Sequence, residues 1–136
     1  MNTIEELRTY FGQDHFAFAQ GIEIADVQPD FATCTVALRK THLNALGVVQ
    51  GGMVFTLADF AFAVASNSQQ YGCVTVNSSI NFLRAASGSR MDATARQISR
   101  SKRICVYEVS VYDENSETVA TATMTGYIKT LKNGKG

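Results

Sequence analysis

Cysteine is scarce in this chain, and its pattern excludes two classes of protein. Cys34, Cys73 and Cys105 are odd in number, widely spaced and each set inside a strand-like run, so they form neither a disulfide framework nor a zinc pattern. They suit buried thiols in a reducing compartment, and the expected location is the cytoplasm. Net charge is lacking as well: Lys and Arg balance Asp and Glu at formal zero, which removes the global signature of a nucleic-acid binder. No basic-then-apolar opening marks a signal peptide. The longest apolar run is too short to span a bilayer and carries Asp59, so no membrane partner is expected. Tryptophan is absent, Pro29 is the one proline, and no repeat, linker or low-complexity segment interrupts the chain. No ligand cluster asks for a metal, and no organic cofactor is implied. What remains is one domain over 1–136, long enough to bury about two-thirds of its unfolded surface.

The strongest signal lies in residues 42–68, HLNALGVVQGGMVFTLADFAFAVASNS. A loop carrying His42 and Asn44 leads through Gly47 and Gln50 to Gly51-Gly52 and an apolar run. From Met53 to Ala65 only Thr56 and Asp59 are not hydrophobic, and Ala, Leu, Met and Phe dominate. That composition and length predict a helix buried on all sides. Asp59 then sits mid-helix, where an unpaired carboxylate costs several kcal/mol unless it finds partners, shifts its pKa or faces water. A structural Asp bonded to loop amides is one reading. The other starts from the glycines: they let a ligand approach the helix start, where first-turn N–H groups are unpaired donors at the positive end of the dipole. A carboxylate two turns from such donors suits acyl transfer.

Shorter elements surround this helix. Ile4, Leu7, Tyr10 and Phe11 space a short amphipathic helix, with Thr3 and Glu6 as its capping box, within an N-terminal helical segment over 1–20. DHFAFA at 14–19 reads as another turn. Its Phe16 and Phe18 are expected to close the core, with lining of an acyl pocket as the alternative; His15 is one of two histidines. Strands are expected over 21–28 and 32–39, joined at Gln28-Pro29-Asp30, then 74–83, 91–100, 104–112 and 118–130. Consecutive hairpins are the simplest topology for the last three. In 74–83, Val74, Val76, Ile80 and Phe82 alternate with Thr75, Asn77, Ser79 and Asn81, placing the first set on a core face. Residues 131–136 are expected to fray.

The string H-x-x-N-x-x-G-x-x-(H)-G-G-x(4)-L-A-D resembles the hotdog-fold acyl-CoA thioesterases of the phenylacetate-pathway (PaaI) type. His42, at looser spacing, Asn44, Gly47, Gly51, Gly52, Leu57, Ala58 and Asp59 carry it, and the order of elements fits from about 14 to 130. The resemblance implies an α+β hotdog fold, an antiparallel sheet wrapped around one long central helix. It also implies acyl-CoA hydrolysis in a homodimer or homotetramer with sites at subunit interfaces. In that scheme Gly51 N–H and Asn44 polarise the thioester carbonyl, and Asp59, reached from across the interface, is general base or nucleophile. Thr75 helps hold the attacking water, and Gly52 contacts substrate; His42 either contacts substrate or anchors its loop by a hydrogen bond. The family's usual histidine before the Gly-Gly is replaced by Gln50, whose amide hydrogen-bonds substrate without delivering a proton. Related hotdog proteins include dehydratases and non-catalytic acyl-CoA binders. The first want a His paired with a carboxylate, and the buried helix holds no His; the second, which have no need of a buried Asp59, are the alternative to hydrolysis.

Charge is uneven despite its zero sum. Residues 1–83 hold three Lys/Arg against seven Asp/Glu, and 84–136 hold nine against five. Arg84, Arg90, Arg96, Arg100, Lys102 and Arg103 form a basic segment that guards a sheet edge or meets the phosphates of CoA. Arg84, Arg90 and Lys102 are the candidates for the phosphates, and alternation puts Arg96 and Arg100 on one strand face.

Overall fold

The computed structural model describes residues 1–129; Thr130, expected to end the last strand, and the tail 131–136 lie outside them. In chain order the elements are α1 (Ile4–Phe11), α2 (His15–Gln20), β1 (Ile22–Gln28), β2 (Phe31–Ala37), α3 (Gly51–Ser66), β3 (Cys73–Phe82), β4 (Arg90–Arg100), β5 (Ile104–Asp113) and β6 (Thr118–Ile128). A single 3-10 turn at Lys40–His42 precedes α3. The expected capping box closes α1: Thr3 Oγ1 accepts from the Glu6 N–H at 3.1 Å, and Glu6 Oε1 accepts from the Thr3 N–H at 2.9 Å. Asp14 caps α2, and Gly21, at φ 82°, ends it in the left-handed region that suits glycine.

All neighbouring strands are antiparallel, in the order β1-β2-β4-β5-β6-β3, so β1 and β3 are the sheet edges. The last three strands form the consecutive hairpins the turns predict. α3 packs on this sheet and touches every strand, which is the hotdog arrangement. Leu57, Ala58, Ala61, Phe62, Val64 and Ala65 are fully buried from the helix side. Ala32, Ala93 and Ala95 answer them from the sheet, and their small size lets the helix approach closely. Phe62 meets the buried Tyr107 ring edge-on at 5.3 Å.

Three expectations about faces are corrected. First, α3 is not buried all round: Gly52 is exposed, and Phe55, Thr56, Asp59 and Ala63 are half-buried. These residues recur every three or four positions, so they form one open stripe. Second, β3 does not keep one alternation. A bulge at Val76 shifts the register, with Thr75 opposite Gly126 but Asn77 opposite Thr125. One inserted residue reverses every side chain after it. Cys73 and Thr75 therefore face the helix before the bulge, and Ser78, Ile80 and Phe82 face it after. Val74 is turned outward, and Val76 is more than half exposed. A second bulge, at Ile98, likewise separates Arg96 from Arg100, which lie on opposite faces of β4.

The start of β3 is fixed by one side chain. Asn67, buried just past α3, accepts from the Gly72 N–H at 2.8 Å and the Cys73 N–H at 3.1 Å. Its Nδ2 donates to Ala63 O at 2.8 Å and to Cys73 O at 3.2 Å. The amide thus clamps the last turn of α3 to the first residue of β3, and so sets which β3 residues lie beside which turn of the helix.

Candidate active site

The bulge and the clamp together bring Thr75 to Asp59. Thr75 Oγ1 donates to Asp59 Oδ1 at 2.8 Å, the contact that joins the edge strand to the open stripe of α3. Burial pushes the Asp59 pKa above the usual carboxylate range, the Thr75 hydroxyl opposes that rise, and the Asp14 carboxylate adds to it. A half-buried carboxylate with one oxygen held and the other unengaged among the described residues can take a proton from water or attack a carbonyl.

At the other end of the stripe lies the helix start. Gln50 is the N-cap, its Oε1 accepting from the Met53 N–H at 3.2 Å. This spends the carbonyl of the Gln50 side chain on its own helix and leaves the Nε2 group to donate. The N–H groups of Gly51 and Gly52 have no partner among the described residues, so both remain donors at the positive end of the dipole. A Cβ at residue 52 would lie 2.5 Å from Gln50 Oε1, so a side chain there would push the capping amide aside.

The preceding loop folds around Asn44. Its Oδ1 accepts from the Leu46 N–H at 2.9 Å and the Val48 N–H at 3.3 Å, which again leaves Nδ2 to donate. His42 is an anchor. Its ring is 2 % exposed, Nδ1 accepts from the Arg39 N–H at 3.0 Å, and Nε2 therefore carries the proton it donates to Gln20 O at 3.2 Å. Burial chiefly lowers its pKa, with Arg39 assisting and the Gln20 carbonyl opposing, so the ring is held neutral. Both ring nitrogens are thus engaged within the chain.

A cavity of about 440 Å³ runs along this end of the stripe, with Phe16, His42, Gln50, Gly52, Phe55 and Thr56 among its walls. Its aromatic wall corrects the expectation for α2. Phe16 and Phe18 are 65 % and 71 % exposed and do not close the core; Ala17, between them, is the buried residue. His15 is exposed on the same helix.

The basic candidates are split. Arg84 lies beside Gly51, Phe82 and Val48 on a second cavity, of about 250 Å³, and pairs with Glu117 at 3.2 Å. Arg90, paired with Asp92 at 3.1 Å, starts β4 at the same end of the sheet. Lys102 lies in the β4–β5 turn at the opposite end, near the start of β3. Among the described residues no three His, Cys, Asp or Glu side chains gather where an ion could sit. Nor is any helix there long and apolar enough to cross a membrane.

Sequence reasoning missed Ser78 and Asn67. The bulge turns Ser78 to the helix, where its Oγ is buried with no hydrogen-bond partner among the described residues. No local signal in VTVNSSINF marks that bulge. Asn67 had one: an Asn directly after a helical run is a common helix stop.

Distances within one chain decide how these groups can act. Eight residues of helix separate Gly51 from Asp59, about 12 Å at the usual rise, too far for both to reach one carbonyl. Within a single chain, no one carbonyl can meet both the donors and the carboxylate.

Residues 46–120 match the family described as the Thioesterase superfamily. The acyl-coenzyme A thioesterase PaaI of Escherichia coli K12 is 35% identical over 111 residues, covering 81% of this chain and 79% of that protein. The solved structure of the E. coli PaaI protein from the phenylacetic acid degradation operon superposes with a TM-score of 0.82 at 28% identity, over 94% of this chain and 97% of that one. A hypothetical thioesterase of Streptococcus pneumoniae TIGR4, solved with coenzyme A, gives 0.81 at 25% identity, over 88% and 96%. The chain belongs to the thioesterase superfamily. It is a hotdog-fold thioester hydrolase of the PaaI type.

Proposed function

We propose that the substrate is an acyl- or aryl-acyl-CoA, cleaved to free acid and CoA at a site assembled from two copies of the chain. The observation that carries this reading is the separation of about 12 Å between the Gly51 donors and the Asp59–Thr75 pair on one helix. The open stripe of α3 and the exposed edge strand β3 are the surfaces a second copy would cover. Pairing β3 with its own copy satisfies the edge and brings a second Asp59 toward the helix start. The assembly is a homodimer or a homotetramer built from two such dimers. Each chain acts as one domain over 1–136, in the cytoplasm, a compartment that suits its three buried, unpaired thiols.

In this site the thioester carbonyl accepts from the Gly51 N–H, with Asn44 Nδ2 assisting. Gln50 Nε2 contacts the carbonyl or the sulfur. The acyl group lies in the cavity walled by Phe16 and Phe55. Asp59 of the other copy takes a proton from water, which adds to the carbonyl carbon, or attacks that carbon itself to give an anhydride that water then hydrolyses to the free acid. Thr75 holds the carboxylate and orients the water. The C–S bond then breaks, and the thiolate leaves without a proton from residue 50, since an amide has none to give. Gly52 lets substrate pass close to the helix start, and His42 serves by holding the loop. Arg84 and Arg90 meet the CoA phosphates, with Lys102 contributed from another copy.

A panel of acyl-CoA substrates, with released thiol as the readout, tests the proposal. Turnover of at least one medium-chain or aryl-acyl-CoA is expected. Tight binding of acyl-CoA with no thiol release across the panel would overturn it in favour of a non-catalytic binder.

A further inference from the structure

Cys73 and Cys105 are not isolated thiols. They stand on β3 and β5, either side of β6, and their sulfurs meet over Gly126 at 3.4 Å. A Cβ at residue 126 would lie 2.5 Å from Cys73 Sγ and 2.9 Å from Cys105 Sγ, so only glycine leaves room for the contact. Cys105 is fully buried, while Cys73, on the edge strand, keeps 9 % exposure. Hydrogen bonding from Cys105 favours the Cys73 thiolate, with Ser66 and Arg100 adding to it against burial. Cys34 has none of this: it is buried, and burial alone drives its pKa upward.

We propose that Cys73 and Cys105 form a reversible oxidation site whose oxidant is a hydroperoxide. The Cys73 thiolate attacks the outer peroxide oxygen, the O–O bond breaks, the alcohol or water leaves with a proton, and Cys73 becomes a sulfenic acid. The Cys105 thiol then attacks that sulfur, a disulfide forms and water leaves. The two thiols supply the two electrons that the peroxide accepts.

The fold makes this bond a switch and not a staple. Two strand spacings of about 4.8 Å separate β3 from β5, whereas the Cα atoms of ordinary disulfides lie roughly 4.4–6.8 Å apart. Because β6 lies between them, the sulfurs can close only if the start of the edge strand breaks its ladder to β6 and folds over it. Such a bond is strained and easily reduced. Movement at Cys73 pulls on the Asn67 clamp and, two residues on, on the Thr75–Asp59 hydrogen bond. Oxidation therefore lowers hydrolysis, a consequence that rests on Asp59 and Thr75 acting as proposed above.

The test treats the full-length protein with hydrogen peroxide, blocks remaining thiols under denaturing conditions, digests without reductant and maps the masses. The expected result is one linked peptide pair holding Cys73 and Cys105, lighter by about 2 Da than the reduced pair, with Cys34 still blocked as a free thiol. In Cys105→Ala, Cys73 should be trapped as the sulfenic acid by dimedone. Hydrolysis by the oxidised parent should fall several-fold and recover with dithiothreitol. Absence of the linked pair, or oxidation of Cys34 to the same extent, overturns the site. A linked pair with an unchanged rate overturns its control of the reaction. A reduced protein that hydrolyses nothing fails the functional reading instead, which the mass map does not depend on.

Discussion

Gly51→Pro removes one proton-bearing donor and little else. Residue 51 is the first of α3, a position where proline is well tolerated because its N–H has no helical acceptor. Gln50, at φ −67° and ψ 138°, already has the extended backbone that a following proline demands. A Cβ at residue 51 would lie 3.6 Å from the Phe82 ring, an ordinary contact. The unfolded chain loses freedom, so stability should hold or rise by about 0.4–1 kcal/mol. Loss of one preorganised oxyanion donor costs about 3–4 kcal/mol in the transition state, so kcat should fall roughly 10²–10³-fold. Thermal melts and initial rates of thiol release on a turned-over acyl-CoA measure both, with Gly51→Ala, which keeps the N–H, as the control. A proline variant that is folded and hydrolyses as fast as the parent refutes the role of this amide.

The other predictions concern carboxylates. Thr75→Val deletes a hydrogen bond to a charged group, worth about 1.5–3 kcal/mol, so kcat should drop roughly 10- to 150-fold. The acid limb of the pH–rate profile should also move to higher pH, because the hydroxyl is what opposes the upward push of burial on Asp59; Thr75→Ser should keep the parent's limb. Asp113, buried at the end of β5, accepts from the backbone N–H groups of Ser87, Asn115 and Glu117, and these bonds hold its pKa below the usual range. Its stabilisation is present above the unfolded carboxylate pKa and is lost as pH falls through the folded one. Asp113→Asn should therefore lower Tm at neutral pH, with the gap to the parent narrowing in melts taken toward about pH 3.

Much of the fold was legible because its signals are local. The Ala- and Phe-rich run after Gly51-Gly52, the Thr3–Glu6 box and the Pro29-Asp30 turn each announce themselves in a few residues, and each element formed where expected. The Gly-Gly start and the mid-helix Asp59 likewise pointed to the groups from which the proposed site is built. The bulges at Val76 and Ile98 were not legible, since an extra residue in a strand depends on the partner's register and not on the strand's own chemistry. That is why Thr75, assigned to the polar outer face, lies on the helix side with Asp59. Capping is similarly hidden: Gln50 and Asn44 each spend their side-chain oxygen on their own backbone, and composition does not reveal which end of an amide stays available. Phe16 and Phe18 were misread because a short helix with one buried alanine leaves its larger residues outside.

Two inactive variants test most directly whether one site draws on two chains. Gly51→Pro lacks the donor and Asp59→Asn lacks the carboxylate, which should lower the rate by at least the roughly 10²–10⁴-fold of a lost general base. Co-expressed in equal amounts with different tags, they assemble into hybrids in which one site carries both defects and the other carries neither. Random pairing into dimers predicts recovery of about a quarter of the parent's thiol-release rate. Hybrids purified through both tags that stay as inactive as either variant alone would contradict a shared site.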